Sequence, residues 1–260
     1  MPALKISIQL ASLKQPFKKA LATAAQLGAT AVEIDARGEI NAQTISNTGM
    51  RELRRLLGDH ELRVSAVGFL TRRGFDDHEE IERRVAATKA VMKFAHGIGA
   101  DVVINQVGMV IHDEKSANWK LLTEVLTDLS LYGHQVGARL CAQTGTESGG
   151  DLKRLLDALP QQGIGIDFDP GNLIVGGFSP LEAIESLGPN ILHVHATDAV
   201  QDRARGRGME VQLGRGSADY PALVGALAKH GYGGYFTLAR ERSENPSLEL
   251  GIGVKFLKKL

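Results

Sequence analysis

Ile166-Asp-Phe-Asp-Pro-Gly-Asn-Leu-Ile174, followed by His193-Val-His-Ala-Thr-Asp198, sets the frame for the rest of the chain. Side chains alternate along a strand, so Asp167 and Asp169 share one face while Ile166 and Phe168 take the other, and His193, His195 and Thr197 oppose Val194 and Ala196. Two carboxylates and two imidazoles therefore point the same way from neighbouring strands. Outward from this pair, short apolar runs alternate with longer amphipathic stretches, the pattern of a parallel sheet with crossover helices. Strands are expected over 5–10, 30–35, 62–68, 101–106, 138–143, 163–169, 190–197 and 234–238. Helical patterns follow them, as over 81–94, with Ile81, Val85, Val91 and Phe94, and over 221–229, with Leu223, Val224 and Leu227. Ser179, Pro180 and Glu182 read as an N-cap, a first-turn proline and a capping-box carboxylate, and Gly188-Pro189 as the stop. Eight βα units predict an α/β closed barrel occupying 1–260 as a single domain. The one long irregular segment, 199–218, is expected to be a functional or mobile loop.

The chain has 260 residues, 43% hydrophobic and 23% charged, within the range of ordinary globular proteins. Thirty basic residues balance thirty acidic ones, which removes the electrostatic footprint of a dedicated nucleic-acid binder. A single cysteine, Cys141, excludes an intrachain disulfide framework, and no apolar run approaches the roughly 20 residues that span a bilayer. With no leader-like N-terminus, a cytoplasmic protein without membrane partners is expected.

Barrel enzymes work at the carboxyl ends of their strands, which directs attention to a few residues. Asp167, Asp169, His193 and His195 suit a divalent cation by donor type, or hydrogen-bond to one another inside the barrel. Asn105 and Gln106, ending the fourth strand, offer amides either to sugar hydroxyls or to their own loop. Arg203, Arg205, Arg207 and Arg215 lie in or beside the long loop and read either as an anion site or as a solvated group. Cys141 reads as a neutral buried thiol. Neither a nucleotide-binding glycine signature nor a nucleophile elbow is present.

The two opening segments, with Val211-Gln-Leu-Gly-Arg-Gly216, Gly231-Tyr-Gly-Gly-Tyr-Phe-Thr-Leu238 and Gly68-Phe-Leu-Thr-Arg-Arg-Gly74, resemble the xylose-isomerase-like TIM-barrel family of sugar and sugar-phosphate isomerases and epimerases. The resemblance covers essentially the whole chain. It implies one divalent metal (Mn, Zn, Co or Mg) held by a glutamate on strand five, an aspartate on strand six, a histidine on strand seven and a glutamate on strand eight. The aspartate falls on Asp169 and the histidine on His195, but the glutamates fall on Gln143 and Ala239. In the family those glutamates also exchange a proton beside a metal-bound carbonyl, work that needs a tunable base; an amide and a methyl cannot do it. Thr197 stands where lysine is usual, and Arg215 where an acid is. Glu241, two residues beyond Ala239, and Glu147, just past Gln143, are the carboxylates nearest in sequence to the lost positions.

The expectation is a sugar isomerase- or epimerase-like protein whose metal site, on Asp169, His195 and Gln143, is weak or empty. Its substrate-binding candidates are Asn105, Gln106, Asn172, Arg207 and Arg215. The alternative is a non-catalytic sugar-binding pseudoenzyme of the same fold. The endonuclease IV branch of the superfamily would need many more metal ligands and a basic face. The resemblance also admits a homo-oligomer.

Overall fold

A computed structural model describes residues 3–38, 40–160, 163–202 and 207–260. Its strands are β1 Lys5–Gln9, β2 Ala31–Asp35, β3 Arg63–Gly68, β4 Val102–Asn105, β5 Arg139–Gln143, β6 Gly165–Phe168, β7 Ile191–Ala196, β8 Asp198–Asp202, β9 Arg207–Val211 and β10 Tyr235–Leu238. Its helices are α1 Phe17–Leu27, α2 Asn47–Asp59, α3 Ile81–Gly97, α4 Ala117–Val136, α5 Gly149–Asp157, α6 Pro170–Gly176, α7 Pro180–Leu187, α8 Tyr220–Lys229 and α9 Pro246–Leu257. Eight parallel strands close into a barrel in the order β1-β10-β7-β6-β5-β4-β3-β2. They coincide with the eight expected strands, differing by a residue or two at their ends. Ser179 caps α7 as expected, accepting from the Glu182 N–H, with Pro180 in the first turn.

The segment 199–218 differs from expectation. Instead of an irregular loop it contains an antiparallel hairpin, β8 paired with β9, which packs on α6. Asp198, at the start of β8, ties the hairpin to the segment 214–218 that follows it. The buried Asp198 carboxylate accepts from the backbone N–H groups of Ala199, Gly214, Gly216 and Ala218 at 2.8–3.0 Å. At Gly216 a Cβ would sit 2.1 Å from Asp198 Oδ1, so only glycine admits this approach.

The apolar faces of the strands, with Ile8, Ile34 and Phe168, pack outward against helix residues such as Leu21, Met92 and Leu126, all fully buried; removing such surface from water is the main favourable term in folding. The interior is different. One small apolar cluster, Ala66, Val102, Ile104 and Cys141, fills part of it, and polar side chains fill the rest. Ser7 Oγ lies 2.7 Å from Ser65 Oγ, which lies 3.3 Å from Thr237 Oγ1, linking β1, β3 and β10 across the barrel. Among the described residues, no helix is long and apolar enough to cross a membrane.

Candidate functional site

The polar chain continues from Thr237 toward the carboxyl ends of the strands. His193 Nε2 meets Thr237 Oγ1 at 2.7 Å, and His193 Nδ1 donates to Asp167 Oδ1 at 2.7 Å. The second Asp167 oxygen accepts from His195 Nδ1, again at 2.7 Å. On the far side of the His195 ring, Nε2 lies 2.7 Å from Glu33 Oε2 of β2. Gln9 Nε2 donates to the other Glu33 oxygen at 2.9 Å, and its own carbonyl accepts from the Ser12 hydroxyl at 2.7 Å. Register explains the alignment: Asp167 pairs with His193 across β6 and β7, His195 with Thr237 across β7 and β10, and Gln9 with Glu33 across β1 and β2.

Every charged member is buried, so charge must be balanced locally. Burial opposes a charge on His195, but Asp167 and Glu33 outweigh it and raise its pKa well above 6.5. Both carboxylates thus favour the protonated ring. Burial likewise pushes the Asp167 and Glu33 carboxyls up, and the His195 charge, with bonds from His193, His195 and Gln9, overrides it and leaves both below the usual carboxylate range. The result is a buried row of three charges, Asp167⁻, His195⁺ and Glu33⁻. Glu33 Oε2 is close to His195 without a hydrogen bond in line, so that contact is held mainly by charge.

The remaining expected residues are placed as follows. Gln143, at the end of β5, brings its amide nitrogen within 3.5 Å of His195 Nδ1. Asp169 does not join the row. Pro170 starts α6 immediately after it, and Asp169 Oδ1 caps that helix, accepting from the Asn172 N–H at 2.8 Å and from the Thr197 hydroxyl at 2.5 Å. Burial pushes the Asp169 carboxyl up to about 6 despite the His195 charge and those donors. Ala239 follows the end of β10, half-buried. Glu241 is exposed; its N–H donates to Glu210, and its side chain lines the same mouth cavity as Glu33, about 640 Å³ in volume. Glu147 turns toward the β4–α4 connection, accepting from the Val110 N–H at 3.4 Å. Asn105 is fully buried, and its Oδ1 accepts from the Thr71 N–H and hydroxyl, tying down the loop after β3; Gln106 is exposed. Asn172 is half-buried and Arg215 exposed. Arg207 enters β9 by its backbone, but its side chain, like Arg203 and Arg205, lies outside the described residues. Burial pushes the Cys141 thiol up, consistent with an inert interior residue.

Sequence reasoning did not single out Glu33, Gln9 or Thr237. A signal exists: in Ala31-Val-Glu-Ile-Asp35 a glutamate stands between two apolar residues of a strand, on the inward face by alternation.

The donor atoms of Glu33, His193 and His195 lie within 4.8 Å of one another, a group that could hold a metal ion. As the side chains lie here, His195 Nε2 and Glu33 Oε2 contact each other at 2.7 Å and His193 Nε2 meets Thr237 Oγ1 at 2.7 Å, so an ion would have to replace those contacts, with Asp167 holding Nδ1 of each ring.

Comparison with known proteins agrees with this architecture. An inosose dehydratase from Clostridium botulinum is 22% identical over 235 residues, covering 76% of this chain and 75% of that protein. The crystal structure of a xylose isomerase domain protein from Planctomyces limnophilus superposes with a TM-score of 0.88 at 23% identity, covering 99% of this chain and 97% of that one. A xylose isomerase-like TIM barrel protein from Mycobacterium smegmatis, solved in complex with magnesium, superposes with a TM-score of 0.78 at 18% identity, covering 100% and 98%. The model of the xylose isomerase-like TIM barrel family matches residues 21–260, and with the closed eight-stranded barrel it establishes that the chain belongs to that family.

Proposed function

We propose that the chain binds a sugar-like polyol at the mouth of its barrel and does not run the two-glutamate, metal-centred proton transfer that the family resemblance implies. The observation that carries this reading is the clamping of His195 between Asp167 and Glu33, at 2.7 Å on each side. The proton does there what a cation would otherwise do: it neutralises buried carboxylates. Gln143 and Ala239 add no charge and no base at the positions where the resemblance implies both. What the mouth does offer is a polyol's hydrogen-bonding complement, with Gln9, Glu33 and Asp35 lining the cavity. The similarity to inosose dehydratases supports a polyhydroxylated ligand.

One observation favours a second reading, an active isomerase- or epimerase-like enzyme. Glu33 and Glu241 line the same cavity and would be its two carboxylates. Calorimetric titration with Mn²⁺ and with myo-inositol tests the first reading, comparing the protein with its Gln143→Glu/Ala239→Glu variant. It expects polyol binding without Mn²⁺ and a gain in Mn²⁺ affinity in the variant. Tight, stoichiometric Mn²⁺ uptake by the unaltered protein would overturn it, and polyol turnover abolished by Glu241→Gln would establish the second.

A further inference from the structure

Beside the mouth cavity lies a second one of about 400 Å³, formed where the segments after β2 and β3 meet the first turns of α3. Five arginines line it, Arg37, Arg72, Arg73, Arg83 and Arg84, against two glutamates, Glu79 and Glu80. The glutamates are already used. Arg73 pairs with Glu79 at 2.8 Å and with Asp77 at 2.7 Å, and Arg83 pairs with Glu80 at 3.3 Å. The other three guanidinium groups meet no carboxylate among the described residues. Arg37 donates to the Leu70 carbonyl, and Arg84 to the carbonyls of Glu79 and Asp77. Arg84 Nε is buried without any partner. Arg72 is exposed and has no hydrogen bond or ion pair with a described residue.

Three guanidinium groups facing one concavity repel each other unless an anion joins them, and arginine's planar fork matches the oxygens of phosphate and carboxylate. Carbonyl bonds fix two of the three in place, so the ordering cost of binding is already met in part. The arginines expected to form an anion site were those near β9; Arg215 there is exposed and likewise has no carboxylate partner among the described residues, whereas Arg37, Arg72 and Arg84 share one cavity.

We infer that this cavity is an oxyanion subsite that receives a phosphate or carboxylate group carried by the polyol bound at the barrel mouth. Arg37 supplies the connection, because it lines both cavities. The inference rests on the polyol reading above for the rest of the ligand, but the oxyanion site itself is independent of it.

Isothermal titration tests it with four probes: myo-inositol, an inositol monophosphate, gluconate and inorganic phosphate. The protein is compared with Arg72→Gln and Arg37→Gln/Arg72→Gln variants. Arg72 holds nothing else in place, so its replacement leaves folding intact, and thermal unfolding verifies this for both variants. The anionic polyol is expected to bind roughly 10-fold or more tightly than inositol, a preference that weakens as salt screens the site and disappears in the double variant. The better of the phosphate and carboxylate probes identifies the group. If inositol does not bind but inorganic phosphate does, and the arginine variants lose it, the oxyanion site stands while the polyol reading fails. Equal affinity for charged and neutral polyols overturns the inference, as does an anion preference that survives in a folded double variant.

Discussion

Replacing Asp167 with asparagine tests the charge row at its centre. Asp167 is fully buried, and both its oxygens accept imidazole N–H groups at 2.7 Å. Asparagine keeps the shape but presents one acceptor and one NH₂, so it serves one histidine and turns a donor toward the other. It also removes one of the two counter-charges of a buried imidazolium. Breaking a buried pair from one side costs about 3–5 kcal/mol, since the remaining charge stays desolvated. For a chain of 260 residues, an unfolding entropy of about 2.1 cal/mol/K per residue makes 4 kcal/mol equivalent to a fall in Tm of roughly 7 °C. Urea unfolding measures the first quantity and circular dichroism the second. The ¹⁵N shifts of the His195 ring follow its proton, which should leave at a lower pH in the variant. A His195→Gln/Asp167→Asn double variant should be destabilised by less than the sum of the singles, because both act on one interaction. A loss below about 1 kcal/mol with His195 still charged at neutral pH would refute the reasoning, since a partner worth that little is of surface-pair size.

Further consequences concern pH, the helix cap, the hairpin and the thiol. Asp167 and Glu33 are held below their ordinary values of 3.8 and 4.5, so their contribution is complete above those values and lost as pH falls through the lowered ones; the urea midpoint should drop on that acid limb, and less so in Glu33→Gln. Asp169 works in the opposite sense. With its carboxyl pushed up to about 6, its contribution is complete below 3.8 and lost as pH rises through about 6, so Asp169→Asn, which can still cap α6, should raise stability at pH 8 by about 2–3 kcal/mol relative to its effect at pH 4. Asp198→Ala strips four backbone N–H groups of their acceptor; a cost of about 3 kcal/mol and faster limited proteolysis within 198–218 are expected. Cys141, buried and with its thiol pushed up, should resist iodoacetamide until the protein is unfolded, and rapid alkylation of the native protein would contradict that placement.

The barrel was legible because its strands are told by local alternation, and one period of two is enough to identify a half-polar strand. The same alternation put Asp167, His193 and His195 on one face, and there they are, hydrogen-bonded to one another. At Asp169 alternation gives the face but not the cap: Pro170 begins α6, and the Asp169 carboxylate accepts from its first turn. It could not pair His195 with Glu33, because these residues come from β7 and β2, which are not neighbours in the sheet. Asn105, offered to a ligand as a polar strand end, is fully buried with Oδ1 accepting from Thr71, while its Nδ2 is buried without a partner among the described residues. The arginines after β7 are dense in sequence, but Arg203, Arg205 and the Arg207 side chain lie outside the described residues, whereas three without a carboxylate partner share a cavity after β2 and β3, where loops distant in sequence converge.

The two cavities differ in charge balance, and that difference orients a ligand. The mouth sets Glu33, Asp35 and Glu241 against Lys14, Arg37 and Arg240, with Glu33 already balanced by His195 and Arg240 by Glu210 and Glu249; its carboxylates accept from hydroxyls, and it holds no excess of cations for an oxyanion. The neighbouring cavity presents Arg37, Arg72 and Arg84 without carboxylate partners. A polyol bearing a single oxyanion is therefore driven to lie one way round, hydroxyls on the Glu33 side and charge on the arginine side, with Arg37 between. Reversing the local charge at one end should act on orientation as well as affinity. Arg72→Glu would repel the oxyanion yet leave the hydroxyl contacts at Gln9 and Glu33 in place. Neutral inositol should then bind as before while the monophosphate loses its advantage and falls below inositol, since like charges now meet at the subsite. A monophosphate that still outcompetes inositol on this variant would place the anion elsewhere in the barrel mouth.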